Sequence, residues 1–355
     1  MAYTTIDDPS EYFQTLLYTG NGANNRALVN DGNSDLQPDW IWFKERNSTS
    51  THQWLDSSRG VNKALSSPDD GAEETYAYLS SFDSDGFTFD QSDGSTNDNN
   101  NTFVAWQWKA NGGTKADNDD GSVTVNLQVN QEAGFSIGTY TGTGSQLTVG
   151  HGLGAVPKLH ITKKLNAADA WNVYHESLGN THGLRLNNAD AKEDFGFYGD
   201  TSPTSSVFTV GGVTNNDRLN TNGGSYVFYS FAEKQGYSKF GSYIGNGNAN
   251  GTFVHLGFKP AWVMIKRVSG SENWVIWDNQ RDPFNNFYHV LLANATSAED
   301  VTNAGSGGRY VGDFLSNGFK LRNTHDTSNS SSTYVYMAFA EHPFVSSKGA
   351  PVTAR

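Results

Sequence analysis

One phrase, written three times, constrains this chain more than any other feature. "PDWIWFK" occupies 38–44, "PKLHITK" 157–163 and "PAWVMIK" 260–266. Each belongs to a longer series in fixed order. A Tyr-x-Gly-x-Gly turn precedes it, starting at Tyr18, Tyr140 and Tyr243. A Trp-containing segment follows, with Trp54, Trp171 and Trp274 read as one landmark. Last in each series stand "TFVAWQWK", "SYVFYSFA" and "TYVYMAFA". The Tyr landmarks lie 122 and 103 residues apart, a usual domain size and far too long for a solenoid repeat.

The phrases read as strands. In "PAWVMIK", Trp262 and Met264 alternate with Val263 and Ile265, so both faces are apolar and the strand is expected to be covered on both sides. In "TYVYMAFA", Val335, Met337 and Phe339 share one face, and Tyr334, Tyr336 and Ala338 the other. Asp85-Gly and Asn317-Gly read as hairpin turns ahead of Phe87 and Phe319. The one helical candidate is 72–82. The expected fold is all-β: three tandem homologous β-sandwiches of jelly-roll or concanavalin-like type. Their expected bounds are 1–112, 113–235 and 236–355, the last carrying a C-terminal tail.

Composition narrows function. The net charge is −13 with no basic block, which argues against nucleic-acid binding and against an anionic membrane surface. No apolar run is long enough to span a bilayer, and the start reads as no signal peptide. Cys is absent, so disulfides and thiol chemistry are excluded.

No catalytic motif emerges. Glycoside hydrolysis needs two carboxylates aimed at one sugar, and no Glu-x-Asp-x-x-Glu strand is present. There is no Gly-x-Ser-x-Gly elbow, and His151 and His255 read as structural repeat positions. Asp/Asn-rich stretches at 30–35, 90–101 and 116–121 offer oxygen ligands for calcium, but turn chemistry is the preferred reading. The landmark tryptophans are assigned to core packing ahead of sugar stacking. Asp56…Arg59 and Asp278…Arg281 are assigned to turn-bracing pairs. The terminal arms carry apolar residues ahead of the first landmark and after the last strand. Tyr3, Tyr12, Phe13, Phe344 and Val345 are therefore the expected assembly contacts, ordered against a neighbouring subunit or another domain.

The phrases "MAYTTIDDPSEYFQTLLYTGNG", "GYSKFGSYIGNGNANGTFVHLGFKPAWVMIKR", "DFLSNGFKLR" and "YVYMAFAEHPFVSSKGAPVTAR" resemble structural proteins of tailed bacteriophages, marine ones in particular. That resemblance implies a virion surface protein, tail-fibre-like or decoration-like, made in the host cytoplasm. It implies concanavalin-like or SPRY-like sandwiches and no enzymatic activity. Expected partners are other virion proteins, further copies of the chain and a host-surface glycan, with no cofactor. A polysaccharide-degrading hydrolase or depolymerase is the competing expectation. The absence of heptads favours a compact knob over a fibre shaft.

Overall fold

The computed structural model describes residues 2–91, 93–194, 196–211, 217–300 and 308–351. The chain is all-β, with several antiparallel sheets. Among the described residues, helix is confined to two short 3-10 turns, Pro9–Glu11 and Glu176–Leu178, and one α-helical turn, Asp217–Asn220.

Each sequence repeat contributes a large sheet in one strand order. In the first repeat Phe13–Thr19 pairs with Thr102–Trp108, followed by Trp40–Glu45, Gln53–Asp56, Lys63–Leu65 and Glu74–Thr75. In the second the series runs Phe135–Thr141, Ser225–Phe231, Leu159–Lys164, Asn172–His175, His182–Arg185 and Glu193–Asp194. Val125–Asn130 and Ala116–Asn118 extend that sheet at its other edge. In the third it runs Ser238–Ile244, Thr333–Pro343, Phe258–Arg267, Val275–Asp278 and Leu291–Leu292. Each large sheet has a small companion built around a hairpin or strand pair: Leu79–Asp83 with Gly86–Phe89, Leu147–Gly150 with Val207–Val210, and Gly312–Leu315 with Gly318–Leu321.

The Tyr-x-Gly-x-Gly landmark ends the first strand of each series in the same way. Tyr18, Tyr140 and Tyr243 stack on Phe103, Tyr226 and Tyr334 at 5.2, 5.0 and 5.0 Å. Their hydroxyls donate to the carbonyls of Thr96, Leu219 and Ser328 at 2.5, 2.8 and 2.6 Å. The first Gly of the motif is required because the chain crosses a backbone there. A Cβ at Gly20, Gly142 or Gly245 would lie 1.9, 2.4 or 2.1 Å from a carbonyl oxygen.

The two-faced strand pattern places the cores. Trp262, Met264, Val335, Met337 and Phe339 point inward, while Val263, Ile265, Tyr334, Tyr336 and Ala338 point outward to the small sheet. The first repeat divides likewise, with Trp40, Trp42, Trp106 and Trp108 inward and Ile41, Phe43 and Ala105 outward. In the second, Ile161, Tyr229 and Phe231 point inward and Tyr140, Tyr226 and Phe228 outward. The three inward faces meet in one core that holds eight of the nine tryptophans. Trp54 contacts Trp171 at 4.5 Å, Trp40 contacts Tyr229 at 5.0 Å and Trp42 contacts Trp262 at 6.4 Å. Fully burying an aromatic side chain contributes about 1.5–3 kcal/mol, so the shared core is a main source of stability.

Two expectations need correction. Residues 72–82 are not helical: they carry the strands Glu74–Thr75 and Leu79–Asp83. The Glu73 N–H donates to Leu165 O across repeats at 2.8 Å, which holds the segment extended. Nor do Trp54, Trp171 and Trp274 share a position. Asp56 faces Trp40, His175 faces Leu159 and Asp278 faces Trp262. Four residues before these stand His52, Trp171 and Trp274, so His52 is the true counterpart and Trp54 lies two residues further on.

Candidate functional site

The repeats meet at three seams, and equivalent positions make the contacts at each seam in one rotational sense. The His52/Trp171/Trp274 position forms the first set. His52 Nε2 lies 3.0 Å from Leu292 O, Trp171 Nε1 donates to Ser66 O at 2.9 Å, and Trp274 Nε1 donates to Arg185 O at 2.8 Å. The acceptors also correspond, each standing one residue after Leu65, Leu184 or Leu291. First reaches third, third reaches second and second reaches first, which closes a ring.

Backbone forms the second set. The N–H groups of Glu73, Lys192 and Glu299 donate to the carbonyls of Leu165, Val268 and Arg46 at 2.8, 3.0 and 2.7 Å. The third set uses the Asp56/His175/Asp278 position. Tyr229 Oη donates to Asp56 at 2.7 Å and Trp106 Nε1 donates to Asp278 at 3.0 Å. At the remaining seam Met337 stands opposite Phe240, where Tyr229 stands opposite Ile137, and its thioether has no proton to donate. There the acceptor is replaced too: His175 Nε2 lies 3.1 Å from the Tyr336 carbonyl.

Asp56 and Asp278 also hold arginines, and the expected turn-bracing pairs form. Arg59 Nε donates to Asp56 at 2.5 Å and Nη1 to Glu73 at 3.0 Å. Arg281 repeats this with Asp278 at 2.5 Å and Glu299 at 3.0 Å. Burial pushes the Glu299 carboxyl up, but Arg281 and Arg46 outweigh it and hold the group below its ordinary value. These are paired carboxylates, yet Asp56, Asp278 and Arg281 are fully enclosed. A sugar has no route to them.

Lys44, Lys163 and Lys266 form another equivalent set, facing Val104, Val227 and Val335. Each ammonium donates to the next residue's carbonyl, at 2.6, 2.9 and 2.7 Å. Burial without a carboxylate ligand pulls all three down to about 8.

The buried histidines act as oriented bonds. Trp42 Nε1 donates to His52 Nδ1 at 2.7 Å, and an indole nitrogen only donates, so Nε2 carries the proton offered to Leu292. Ser177 N donates to His175 Nδ1 at 3.1 Å, fixing the same tautomer. Burial holds both rings below the ordinary histidine value, His175 at about 4. His151 is buried and bonds Thr204 O at 3.2 Å, whereas His255 is exposed on a small sheet, so the two do not share an environment.

Two clefts remain. One, of about 340 Å³, lies between the first and third repeats and includes Asp8, Asp31, Glu341 and His342. Two of its carboxylates serve the fold: Asp8 accepts from Ser10 and Ser34, and Glu341 pairs with Lys259 at 2.9 Å. The Asp/Asn-rich stretches make turns, as where Asp93 accepts from Ser95 N at 2.7 Å. Among the described residues no three His, Asp or Glu side chains gather as a metal site. The second cleft, of about 370 Å³, is formed by residues 281–286, Tyr288, His289 and Val311 of the third repeat.

The terminal residues pack within the chain. Phe13 is buried and stacks on Phe339 at 5.3 Å, and Tyr12 meets Tyr237 edge-on at 5.9 Å. Tyr3 donates to Gly257 O at 2.7 Å and meets Phe344 at 6.5 Å. Val345 bridges Pro351, and Ser347 bonds Asp7. The seams escaped the sequence reading because their partners lie in different repeats, as Trp171 and Ser66 do at 105 residues apart and Trp274 and Arg185 at 89.

A family model described as a domain of unknown function, DUF7483, matches residues 8–343. The chain belongs to the DUF7483 family. No curated protein and no solved structure matches it. The DUF7483 match covers all three repeats and every seam residue named above, so the ring of contacts lies inside the family's unit.

Proposed function

We propose that this DUF7483 chain is a non-enzymatic structural protein of a bacteriophage virion surface, a capsid decoration or a tail-attached knob. In this reading it is built of three homologous jelly-roll sandwiches, 1–112, 113–235 and 236–355. The single observation that carries the proposal is the closed ring of seams. Buried acids, arginines and histidines are engaged in joining repeats, an arrangement suited to a rigid body that withstands the environment outside a cell. The resemblance of its phrases to phage structural proteins and its acidic, cysteine-free composition support the same reading. Other virion proteins and further copies of the chain are its partners, with Tyr3 and Phe344 near the attachment surface. Labelling purified particles with gold-conjugated antibody tests it. Label on capsid or tail is the expected result, and particles free of the protein would overturn it. Release of reducing ends from a polysaccharide panel would favour a depolymerase instead.

A further inference from the structure

The pseudo-symmetry separates what the scaffold needs from what one repeat adds. From Asp56 to Leu65 and from His175 to Leu184 the chain advances nine residues, but from Asp278 to Leu291 it advances thirteen. The four extra residues fall in the segment lining the 370 Å³ cleft.

This segment is fastened on several sides. Asp282 accepts from the N–H groups of Tyr288 and His289, both at 2.8 Å, and holds His289 Nδ1 at 2.6 Å. Asn285 exchanges two hydrogen bonds with the Phe314 backbone at 2.8 and 2.9 Å. Asn286 donates to Asp313 at 2.8 Å, and Phe287 is buried against Trp277 and Phe314. Yet this fastened loop holds Phe284 79% exposed. Leaving a phenyl ring in water forgoes the stabilisation that burying it would bring. Beside it Tyr288 and His289 stack at 4.4 Å. Among the described residues the Tyr288 hydroxyl and His289 Nε2 make no hydrogen bond within the chain, so both are available to a ligand.

We propose that the cleft bounded by Phe284, Asn286, Tyr288 and His289 binds a neutral sugar ring. The apolar face of a pyranose stacks on Phe284, and its hydroxyls bond Tyr288, His289 and the Asn286 amide. The sugar is neutral because the ionic groups lining the cleft are already engaged: Arg281 with Asp278 and Glu299, and Asp282 as acceptor from the Tyr288 and His289 N–H groups and from the His289 ring. The inference stands on this loop alone and does not depend on a virion location.

The test is saturation-transfer NMR and calorimetry on the full chain with glucose, galactose, mannose and N-acetylglucosamine. The expected result is saturable binding of at least one sugar. It should weaken tenfold or more in Phe284→Ala and severalfold in Tyr288→Phe, with unchanged melting temperature. Ile244→Ala, an exposed apolar control elsewhere, should bind as the parent does. No saturable binding by any of the four sugars, or equal binding by Phe284→Ala, overturns the proposal. So does loss of a self-associated state in Phe284→Ala without sugar binding, which would make Phe284 a contact between copies.

Discussion

The Tyr229 hydroxyl donates to Asp56 across the seam between the second and first repeats, at 2.7 Å. Trp106 and Asp278 make the matching bond between first and third. Tyr229→Phe removes one donor from a buried carboxylate, which should cost about 1.5–3 kcal/mol. Asp278→Ala leaves the Arg281 guanidinium short of an anion and Trp106 Nε1 without its acceptor, so about 3–5 kcal/mol is expected. Urea unfolding followed by tryptophan fluorescence checks both. Losses below about 0.5 kcal/mol would mean the seams are not stabilising.

Alkaline stability follows from the three buried lysines. Their folded pKa of about 8 lies below the ordinary 10.5, so between those values the unfolded chain binds more protons than the folded one. Stability should therefore rise as pH climbs above about 8, by at most on the order of 3 kcal/mol per lysine. Near pH 10 the trend reverses, because burial holds the phenols of Tyr18, Tyr140 and Tyr243 above that value when folded. Chemical denaturation at half-unit steps from pH 7 to 10.5 reads the slope, and Lys44→Met should flatten it.

Acid works through the histidines. His52 and His175 have folded values below the ordinary 6.5, so on acidification the unfolded chain takes up protons that the folded chain refuses. Stability present above pH 6.5 is lost as pH falls from there toward 4. Protonating Nδ1 also breaks the bonds from Trp42 to His52 and from Ser177 to His175. Thermal scans between pH 7 and 4 should show a falling midpoint, less steep in His175→Gln. A midpoint constant from pH 6.5 to 4.5 would contradict this.

Strand faces were legible in the sequence because their period is two: Trp262 and Met264 separate from Val263 and Ile265 as the pattern says. The same period explains the misplaced landmark. Trp54 and His52 lie two residues apart, so a slip between them keeps the face, and an aromatic signal cannot reveal it. The hairpins at Gly86 and Gly318 were readable from local turn chemistry. Nothing local told that Trp171 would bond Ser66, since that pairing depends on how whole sheets meet.

The terminal arms are held to the third repeat by few contacts. Deleting residues 344–355 removes the Phe344 ring from Tyr3 and the Ser347 clasp from Asp7. The sheets should stay folded, with about 1–2 kcal/mol lost at most, while Tyr3 and Asp7 lose their partners in the tail. Hydrogen exchange on the truncated chain reads this as faster exchange confined to the first residues and the strand edge at Gly257. Global loss of protection would show that the tail is part of the core.

The central claim is that three repeats share one core and stand or fall together. Differential scanning calorimetry of the full chain tests it most directly. The account predicts a single transition whose van't Hoff enthalpy matches the calorimetric enthalpy. Three resolved transitions, or a van't Hoff enthalpy near one third of the calorimetric value, would mean that the repeats unfold independently and would contradict it.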